Sequence, residues 1–159
     1  MKITTLIIVI VLLIISITEQ CILYDKQRHT MKFNNTFNKT GSPILEFYSN
    51  SKKLNFLIDT GSDYSFIDST ILKDIIHKKA DVTEETSVSG IGGEVPIEGY
   101  FDVTFYYKNL EYTHLFQAFD FKESRNYAGV TINGIIGNDF LSKYRYFIDF
   151  KNLLVYSSL

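Results

Sequence analysis

The sequence predicts a mostly-β domain with one or two short helices, and three features support this fold class. Short runs rich in β-branched and aromatic residues begin at Pro43 and alternate with turn residues, as where PILEFYS and LNFLI flank NSKK. Only two segments, STILKDIIHKK and the one that follows GIIG, have the character of helices. The chain has 159 residues, 45% of them apolar, which suits a single domain with a substantial core.

The first elements of this domain are predicted around Asp59. NSKK predicts the turn of a hairpin, and YSFID, just after Asp59, predicts a further short strand. STILKDIIHKK predicts a helix, because its apolar side chains recur on one helical stripe and Ser69 is available as an N-cap. The residues of that stripe are Ile71, Leu72, Ile75 and Ile76.

The later elements are predicted to be mainly strands. TSVSGIGGEVPI predicts two extended arms around a glycine-rich tip, and GYFDVTFYY and LEYTHLFQAF predict two strands around a tight turn at Lys108-Asn109. KESRNYAGVTING predicts a loop, and GIIGNDFLSKY predicts a buried strand that enters a short helix. RYFIDFKNLLVYS predicts a closing hairpin at Lys151-Asn152.

The N-terminal segment is of a different kind. It has Lys2 and then no charge before Glu19. As a helix, the uncharged run from Ile3 to Thr18 would be about 24 Å long, short of the ~30 Å hydrocarbon core of a bilayer. Residues 1–18 are therefore predicted to be either a secretory signal peptide or an uncleaved signal-anchor transmembrane segment, and the lack of an A-x-A-like cleavage site leaves both open.

Either prediction gives an exported or membrane-anchored protein, on the periplasmic or extracytoplasmic side if the cell is bacterial. Residues 19–42 are polar and without sustained periodicity, so they are predicted to form a tether, with a strand possible near Met31 to Phe37. Residues 43–159 are predicted to be the folded domain.

Charge and composition exclude several classes of function. Sixteen basic and 18 acidic side chains leave a net charge of -2, so the basic excess typical of nucleic-acid binding is missing. One cysteine, Cys21, cannot form an internal disulfide or a cysteine-based zinc site. His29, His77 and His114 lack metal-ligand spacing, so no metal and no cofactor is predicted.

Three motifs carry the chemistry that the sequence suggests. The first is LIDTGS, in which Asp59 follows an apolar strand; the second is the glycine-rich tip GIGG; the third is GIIGNDFL. Each alone is weak, because DTG ends ordinary strands, glycine pairs mark many hairpins, and IIG describes any buried strand that meets a turn. Their order, within about 120 residues, makes the combination specific.

In this order the motifs resemble those of the retropepsin-like aspartic peptidases, over about Pro43 to Tyr156. The NDFL that follows IIG is more similar to bacterial and cellular members of the family than to viral ones. The resemblance implies an acid protease barrel and three groups of site residues. These are a catalytic turn (Asp59, Thr60, Gly61, Ser62), a flap that covers the substrate (Gly90, Ile91, Gly92, Gly93) and a supporting segment beneath the turn (Ile135, Ile136, Gly137).

By analogy with the family, Thr60 locks two such turns together and Ser62 orients the carboxylate. The reaction needs two carboxylates a few ångströms apart that share one proton, so that one acts as general base on a water and the other as general acid toward the peptide carbonyl. The chain has a single D-T/S-G motif and about half the length of a two-domain enzyme. The second Asp59 must therefore come from another copy, in a C2 homodimer.

The leading hypothesis is thus an aspartic endopeptidase, a hydrolase that carries out proteolysis on extended protein or peptide segments. Bilayer tethering through an uncleaved N-terminal segment would favour dimerisation by raising local concentration. A non-catalytic retropepsin-like module that binds peptides or assembles complexes is the alternative. A third hypothesis, an unrelated β-barrel surface protein, predicts an exposed Asp59 far from any symmetry axis.

Overall fold

The computed structural model describes residues 2–28, 30–82, 87–90, 93–122 and 126–157. Its elements are, in chain order, α1 (Lys2–Arg28), β1 (Thr30–Lys32), α2 (Asn34–Thr40), β2 (Ile44–Ser49), β3 (Lys52–Ile58), β4 (Phe66–Asp68), a 3-10 helix (Ser69–Asp74), β5 (Ile76–Lys79), β6 (Ser87–Gly90), β7 (Gly93–Pro96), β8 (Gly99–Tyr107), β9 (Leu110–Phe119), β10 (Asn126–Tyr127), β11 (Val130–Thr131), β12 (Gly134–Ile136), α3 (Asn138–Lys143), β13 (Tyr146–Asp149) and β14 (Leu154–Ser157).

The N-terminal helix α1 lies ahead of the β domain. Its side chains from residue 7 to residue 20 are exposed. Within the described ranges, no helix combines the length and the apolarity that crossing a membrane requires.

A six-stranded barrel forms the centre of the domain. Its strands follow one another around the ring in the order β2-β3-β12-β4-β9-β8, and the pairing of Tyr48 with Tyr106 closes β8 onto β2. Outside this ring, strand β5 pairs antiparallel with residues 101–104 of β8, and Ile76 lies opposite Thr104. The predicted fold class, mostly β with short helices in a barrel, is confirmed.

Tight turns set the register of the hairpins. Asn50 and Ser51, with φ of 48° and 63°, connect β2 to β3, as the NSKK pattern predicts. Two successive positive φ values are typical of the type I′ turns that match the twist of a hairpin. Lys108, with φ of 54°, begins the predicted turn between β8 and β9.

Two parallel pairs distinguish this barrel from a simple meander. Strand β12 runs parallel to β3, with Ile136 opposite Ile58, and β4 runs parallel to β9, with Phe66 opposite Gln117. Because β12 also pairs with β4, it lies between the strand that precedes Asp59 and the strand that follows it. The ends of β3 and β12 therefore meet at one edge of the barrel.

The core is mainly aromatic. Phe47, Phe56, Phe105 and Phe116 are fully buried, and Phe47 contacts Phe105 edge-to-face with ring centroids 5.0 Å apart. Burying each aromatic ring removes a large apolar area from water, and the edge-to-face contact adds a favourable interaction between the rings. Phe140 extends the cluster into α3, so the packing of α3 is tied to that of the barrel.

Segments from both ends of the domain form a second, three-stranded sheet. Strand β1 pairs with β14, and β14 pairs with β13. Met31 and Phe33, in the segment predicted as a tether, are buried in the core, and α2 follows them directly. The polar residues of NNTFNK do not indicate that this segment belongs to the folded domain, because only Thr36 of α2 is buried. The Thr36 hydroxyl lies within hydrogen-bond distance of the carbonyl oxygens of Phe33 and Ile44.

The helix predicted for STILKDIIHKK is wrong in length and in its cap. A 3-10 helix ends at Asp74, and the following residues form strand β5. The cap is the Asp68 carboxylate, which accepts from the amide of Thr70 at 3.1 Å, rather than Ser69. Pairing of Ile76 with β8 overrides the helical stripe and leaves this side chain 44% exposed.

Two short hairpins complete the domain. Strands β6 and β7 pair antiparallel as the predicted arms of the glycine-rich segment, with Gly90 opposite Gly93. The segment predicted as a loop contains the hairpin of β10 and β11, which turns at Gly129 with φ of 77°.

Candidate active site

Asp59 lies where β3 ends. Its backbone amide donates to the carbonyl oxygen of Ile136 at 3.0 Å, which continues the parallel pairing of β3 and β12 by one residue. The Asp59 side chain is half-buried at this edge of the barrel. The Asp59 carboxylate, which directly follows the LNFLI strand, thus lies at the surface of the barrel rather than in its core.

The turn that follows holds the carboxylate by main-chain contacts. The amide of Gly61 donates to Oδ1 of Asp59 at 2.9 Å, and the amide of Ser62 donates to the carbonyl oxygen of Asp59 at 3.2 Å. A Cβ on Gly61 would lie 3.2 Å from Oδ1, so glycine allows this close approach. A hydrogen bond to a carboxylate orients it and stabilises its charged form.

The hydroxyl groups of the turn differ in what they contact. Thr60 is exposed, which leaves its side chain available to a second chain. Ser62, expected to orient the carboxylate, donates from Oγ to the carbonyl oxygen of Tyr64 at 2.7 Å. The hydrogen bond to the Asp59 carboxylate comes from the Gly61 amide.

The start of α3 clamps the turn from below. Asn138 donates from Nδ2 to the carbonyl oxygen of Thr60 at 2.9 Å, and from its backbone amide to the carbonyl oxygen of Ser62 at 2.8 Å. The amide of Asp139 donates to the carbonyl oxygen of Asp63 at 3.2 Å. The first amides of a helix have no partners within the helix, and here two of them bind carbonyl oxygens of the Asp59 turn and of Asp63 just after it.

Ile135, Ile136 and Gly137 lie directly beside the Asp59 turn. Ile136 is fully buried and provides the carbonyl oxygen that anchors Asp59, while Ile135 is half-buried. Gly137 is buried, and a Cβ there would lie 2.3 Å from the carbonyl oxygen of Tyr64. The glycine therefore lets β12 and α3 pack against the backbone of the turn.

A buried polar network lies under the same turn. The carboxylate of Asp139 accepts from the Ser65 hydroxyl at 2.6 Å and from Nε2 of His114 at 3.0 Å. Burial opposes ionisation of Asp139, but the hydrogen bonds from His114 and Ser65 outweigh it and hold the pKa of this carboxyl below its usual range. The Asp139 carboxylate thus lies beneath the Asp59 turn with hydrogen bonds from both Ser65 and His114.

The flap residues are described in part. Gly90 and Gly93 pair across the hairpin, and Gly93 has φ of 103°. Ile91 and Gly92 lie outside the described residues. The arms of the hairpin provide paired backbone on which a strand-like ligand could be held.

A mainly apolar surface borders the Asp59 turn. A depression of about 530 Å³ is lined by Thr60, Asn138, Leu141, Ser142 and residues 145–148. Within it, Phe147 is 52% exposed and stacks on Tyr156 with ring centroids 5.5 Å apart. We call this surface the β13 face, and Thr60 of the Asp59 turn is part of it.

The described part of the chain has no group of three or more histidine, cysteine or acidic side chains that could hold a metal ion. His77 is exposed on β5, whereas His114 is 6% exposed and belongs to the network with Asp139. The roles of Ser65 and His114 in this network were not predicted from the sequence. The pattern of alternate residues in LEYTHLFQAF was the available signal, because it places His114 on the same face of the strand as buried Phe116.

Known proteins give a consistent assignment. The family model described as aspartyl protease matches residues 45–140. No curated protein matches the chain. The crystal structure of the retroviral protease-like domain of Ddi1 from Leishmania major is similar in fold, at 15% identity and a TM-score of 0.53, over 74% of this chain and 88% of that one.

EIAV protease complexed with the inhibitor HBY-793 has 22% identity and a TM-score of 0.46, over 64% of this chain and 86% of that one. The family match extends over more than half of the sequence and includes the Asp59 turn, β12 and the start of α3. The chain therefore belongs to the aspartyl protease family, and its barrel has the retropepsin-like fold.

Proposed function

We propose that this chain is an aspartic endopeptidase that acts as a C2 homodimer, with the Asp59 carboxylates of two chains around one water. The observation that carries the proposal is the Asp59 turn, in which the carboxylate is oriented by the Gly61 amide and the backbone is clamped by Asn138. A turn held this firmly on a barrel of this family suits preorganised acid–base chemistry.

The mechanism follows from the closeness of the two carboxylates. Like charges a few ångströms apart share one proton, so one Asp59 is a carboxylate and its twin is a carboxylic acid. The carboxylate takes a proton from water as the water oxygen attacks the peptide carbonyl carbon, and the acid protonates the carbonyl oxygen. The tetrahedral intermediate then breaks its C–N bond. The Asp59 that took the proton from water gives it to the leaving nitrogen, and the other Asp59 takes back a proton from one hydroxyl of the intermediate, so that a carboxylic acid and an amine are released and the pair again shares one proton.

The geometry of the single chain favours a second copy as the source of the other carboxylate. The sequence has one D-T/S-G motif. Thr60 is exposed at the tip of the turn, and the β13 face beside it presents exposed Phe147. An exposed apolar surface of this kind is typical of an interface, and its position would bring two turns together on a two-fold axis.

The substrate class is an extended protein or peptide segment. Strands β6 and β7 form a hairpin whose backbone could pair with a substrate strand. Pairing of this type gives affinity through main-chain hydrogen bonds and specificity through alternate side chains.

The direct test compares the full-length protein with its Asp59→Asn and Asp63→Asn variants on an unfolded protein substrate at pH 4 to 7. Asp63 is the matched control because it is the next carboxylate along the chain and is exposed. We expect the parent and Asp63→Asn to release fragments and Asp59→Asn to release none. Activity should rise more steeply than linearly with enzyme concentration while dimers are still forming.

Mixing experiments test the shared site. An excess of Asp59→Asn protein should suppress the parent's activity, because mixed dimers carry one carboxylate of the two. A monomeric active site would be unaffected by the inactive chain. If the parent is silent in a sample that sedimentation shows to be dimeric, the non-catalytic peptide-binding module becomes the better hypothesis.

Export or membrane anchoring stays a prediction from residues 1–18. Fractionation of cells that express the full-length chain would test it. Recovery in the membrane fraction would support an anchor, and a shortened chain outside the cytoplasm would support a signal peptide. Uncleaved chain in the cytoplasmic fraction would contradict both.

A further inference from the structure

A buried acid–histidine pair lies beneath the catalytic turn and takes no part in the chemistry described above. His114 on β9 is 6% exposed and Ser65 is fully buried, whereas the Asp139 side chain is 26% exposed. An ionisable pair in such a place is costly unless its hydrogen bonds are satisfied. Here Ser65 and His114 provide hydrogen bonds to the Asp139 carboxylate.

The Asp139 carboxylate is the centre of the network. Oδ1 accepts from the Ser65 hydroxyl at 2.6 Å and from the amide of Phe140 at 2.7 Å. Oδ2 accepts from the Ser65 amide at 3.0 Å and from Nε2 of His114 at 3.0 Å. The Ser65 hydroxyl in turn accepts from the amide of Gly137 at 3.1 Å.

This network joins the residues that follow the catalytic turn to the start of α3. Ser65 lies just after the turn, and Gly137 lies just before the helix whose first amides bind the carbonyl oxygens of Ser62 and Asp63. Asp139 contributes one of those amides. A shift of the Asp139 side chain would therefore move both the clamp and the segment that it clamps.

We propose that His114 is a positioning residue for the catalytic turn, which it holds in register with α3 through its bond to the Asp139 carboxylate. As a role in catalysis, this inference rests on the proposed peptidase function. The rings of Phe116 and Phe140 restrict rotation of the His114 ring, because they lie edge-to-face against it with centroids 5.4 and 5.2 Å away. Its Nδ1 is buried without a hydrogen-bond partner among the described residues, so the bond through Nε2 fixes its orientation.

Hydrogen exchange tests the positioning without using activity. In the full-length Asp59→Asn background we would compare His114→Leu and His114→Gln, with His77→Gln as the control on exposed β5. Leucine removes the bond, whereas glutamine can present an amide N–H near the place of Nε2. We expect His114→Leu to speed exchange at the amides of Asn138 and Asp139 by roughly tenfold or more, because a bond to a charged group is lost.

The other variants and amides separate positioning from general stability. His114→Gln should retain most of the protection, His77→Gln should change nothing, and the amides of the β8–β9 hairpin should exchange as before. Equal protection in His114→Leu and the parent would overturn the proposal, and so would equal loss at every core amide.

His114→Asn provides a second variant if His114→Leu does not fold. The shorter asparagine side chain does not carry its amide to the place of Nε2, so protection at Asn138 and Asp139 should be lower than in His114→Gln. Equal protection in these two variants would contradict the assignment.

Kinetics on the proteins with intact Asp59 test the catalytic consequence. His114→Leu should lower kcat about ten- to hundredfold with KM nearly unchanged, and His114→Gln should recover most of it. A rise in KM alone would refute a role in positioning the carboxylate. If the parent has no peptidase activity, the proposed function fails, while the exchange measurements still decide whether His114 positions the turn.

Discussion

Replacement of Gly137 by alanine is the most direct test of how the turn is supported. Gly137 has φ of -94°, so alanine suits the backbone and the effect is steric alone. An added Cβ would lie 2.3 Å from the carbonyl oxygen of Tyr64, 2.6 Å from its carbonyl carbon and 2.9 Å from the carbonyl oxygen of Ser62. All three are backbone atoms, so no rotamer change relieves the clash.

The magnitude follows from the displacement that is needed. Separating the Cβ from the Tyr64 oxygen to ordinary contact requires a shift of about 1 Å between the turn and α3. Overpacking costs about 1–3 kcal/mol where side chains can adjust, and we expect about 3 kcal/mol here because only backbone can move. With an m-value of about 2 kcal/mol/M, the urea midpoint should fall by about 1.5 M with m unchanged.

Urea unfolding of the full-length protein, followed by tyrosine fluorescence, would measure this loss. Gly129→Ala is the control, because Gly129 has φ of 77° and nothing within 4 Å of an added Cβ, so only backbone strain of about 1–2 kcal/mol applies. Peptidase activity of Gly137→Ala should fall by about a hundredfold, since a 1 Å misplacement of the reacting group is enough for that. A midpoint no lower than that of Gly129→Ala would refute the reasoning.

Three further predictions concern groups around the site. Burial raises the pKa of Tyr146, whose hydroxyl is 2.6 Å from that of Tyr112, so both hydroxyls should stay neutral in the folded protein. The contribution of this pair to the free energy of unfolding should be lost as pH rises above 10. Tyr146→Phe should lower the free energy of unfolding by about 1–3 kcal/mol in urea unfolding, and no change would contradict the pairing. Because the pKa of Asp139 is lowered in the folded protein, its carboxylate should contribute to the free energy of unfolding above about pH 4, and this contribution should be lost as pH falls through the pKa of the folded state. Asp139→Asn should therefore be less stable than the parent by about 2 kcal/mol near neutral pH, and this difference should become smaller in acid. A difference that grows in acid would exclude a paired carboxylate. Phe147→Asp should weaken dimerisation about 30-fold in sedimentation, the effect of an interface residue worth ~2 kcal/mol, whereas Tyr127→Asp, at another exposed aromatic, should leave it unchanged.

Local sequence was sufficient for the turn and the hairpins. Asp59-Thr60-Gly61-Ser62 follows an apolar strand, and the conformation needed there depends on the glycine itself. The Asn50-Ser51 turn likewise depends on neighbours within a few residues. Such elements could be predicted because the interactions that define them lie within the quoted segment.

Interactions between distant segments explain what the sequence did not reveal. Ile76 has the spacing of a helical residue, but pairing with Thr104 makes it part of a strand. His114 and Asp139 are 25 residues apart, and neither has an unusual neighbourhood until β9 and α3 meet. Met31 is preceded by polar residues, and its burial depends on β14 at the other end of the chain.

The span of chain between the turn and its clamp bears on how the protein is made. Asn138 is 78 residues beyond Thr60, the residue whose carbonyl oxygen it binds. Synthesis at about 5–20 residues per second puts roughly 4–16 s between the emergence of the two. A ribosome-bound chain that stops before Gly134 should therefore leave the amides of Gly61 and Ser62 open to exchange, and protection at that stage would show that the turn forms unaided. Because α3 follows every strand of the barrel in the sequence, the Asp59 turn of a nascent chain would lack its clamp until the whole barrel had been synthesised.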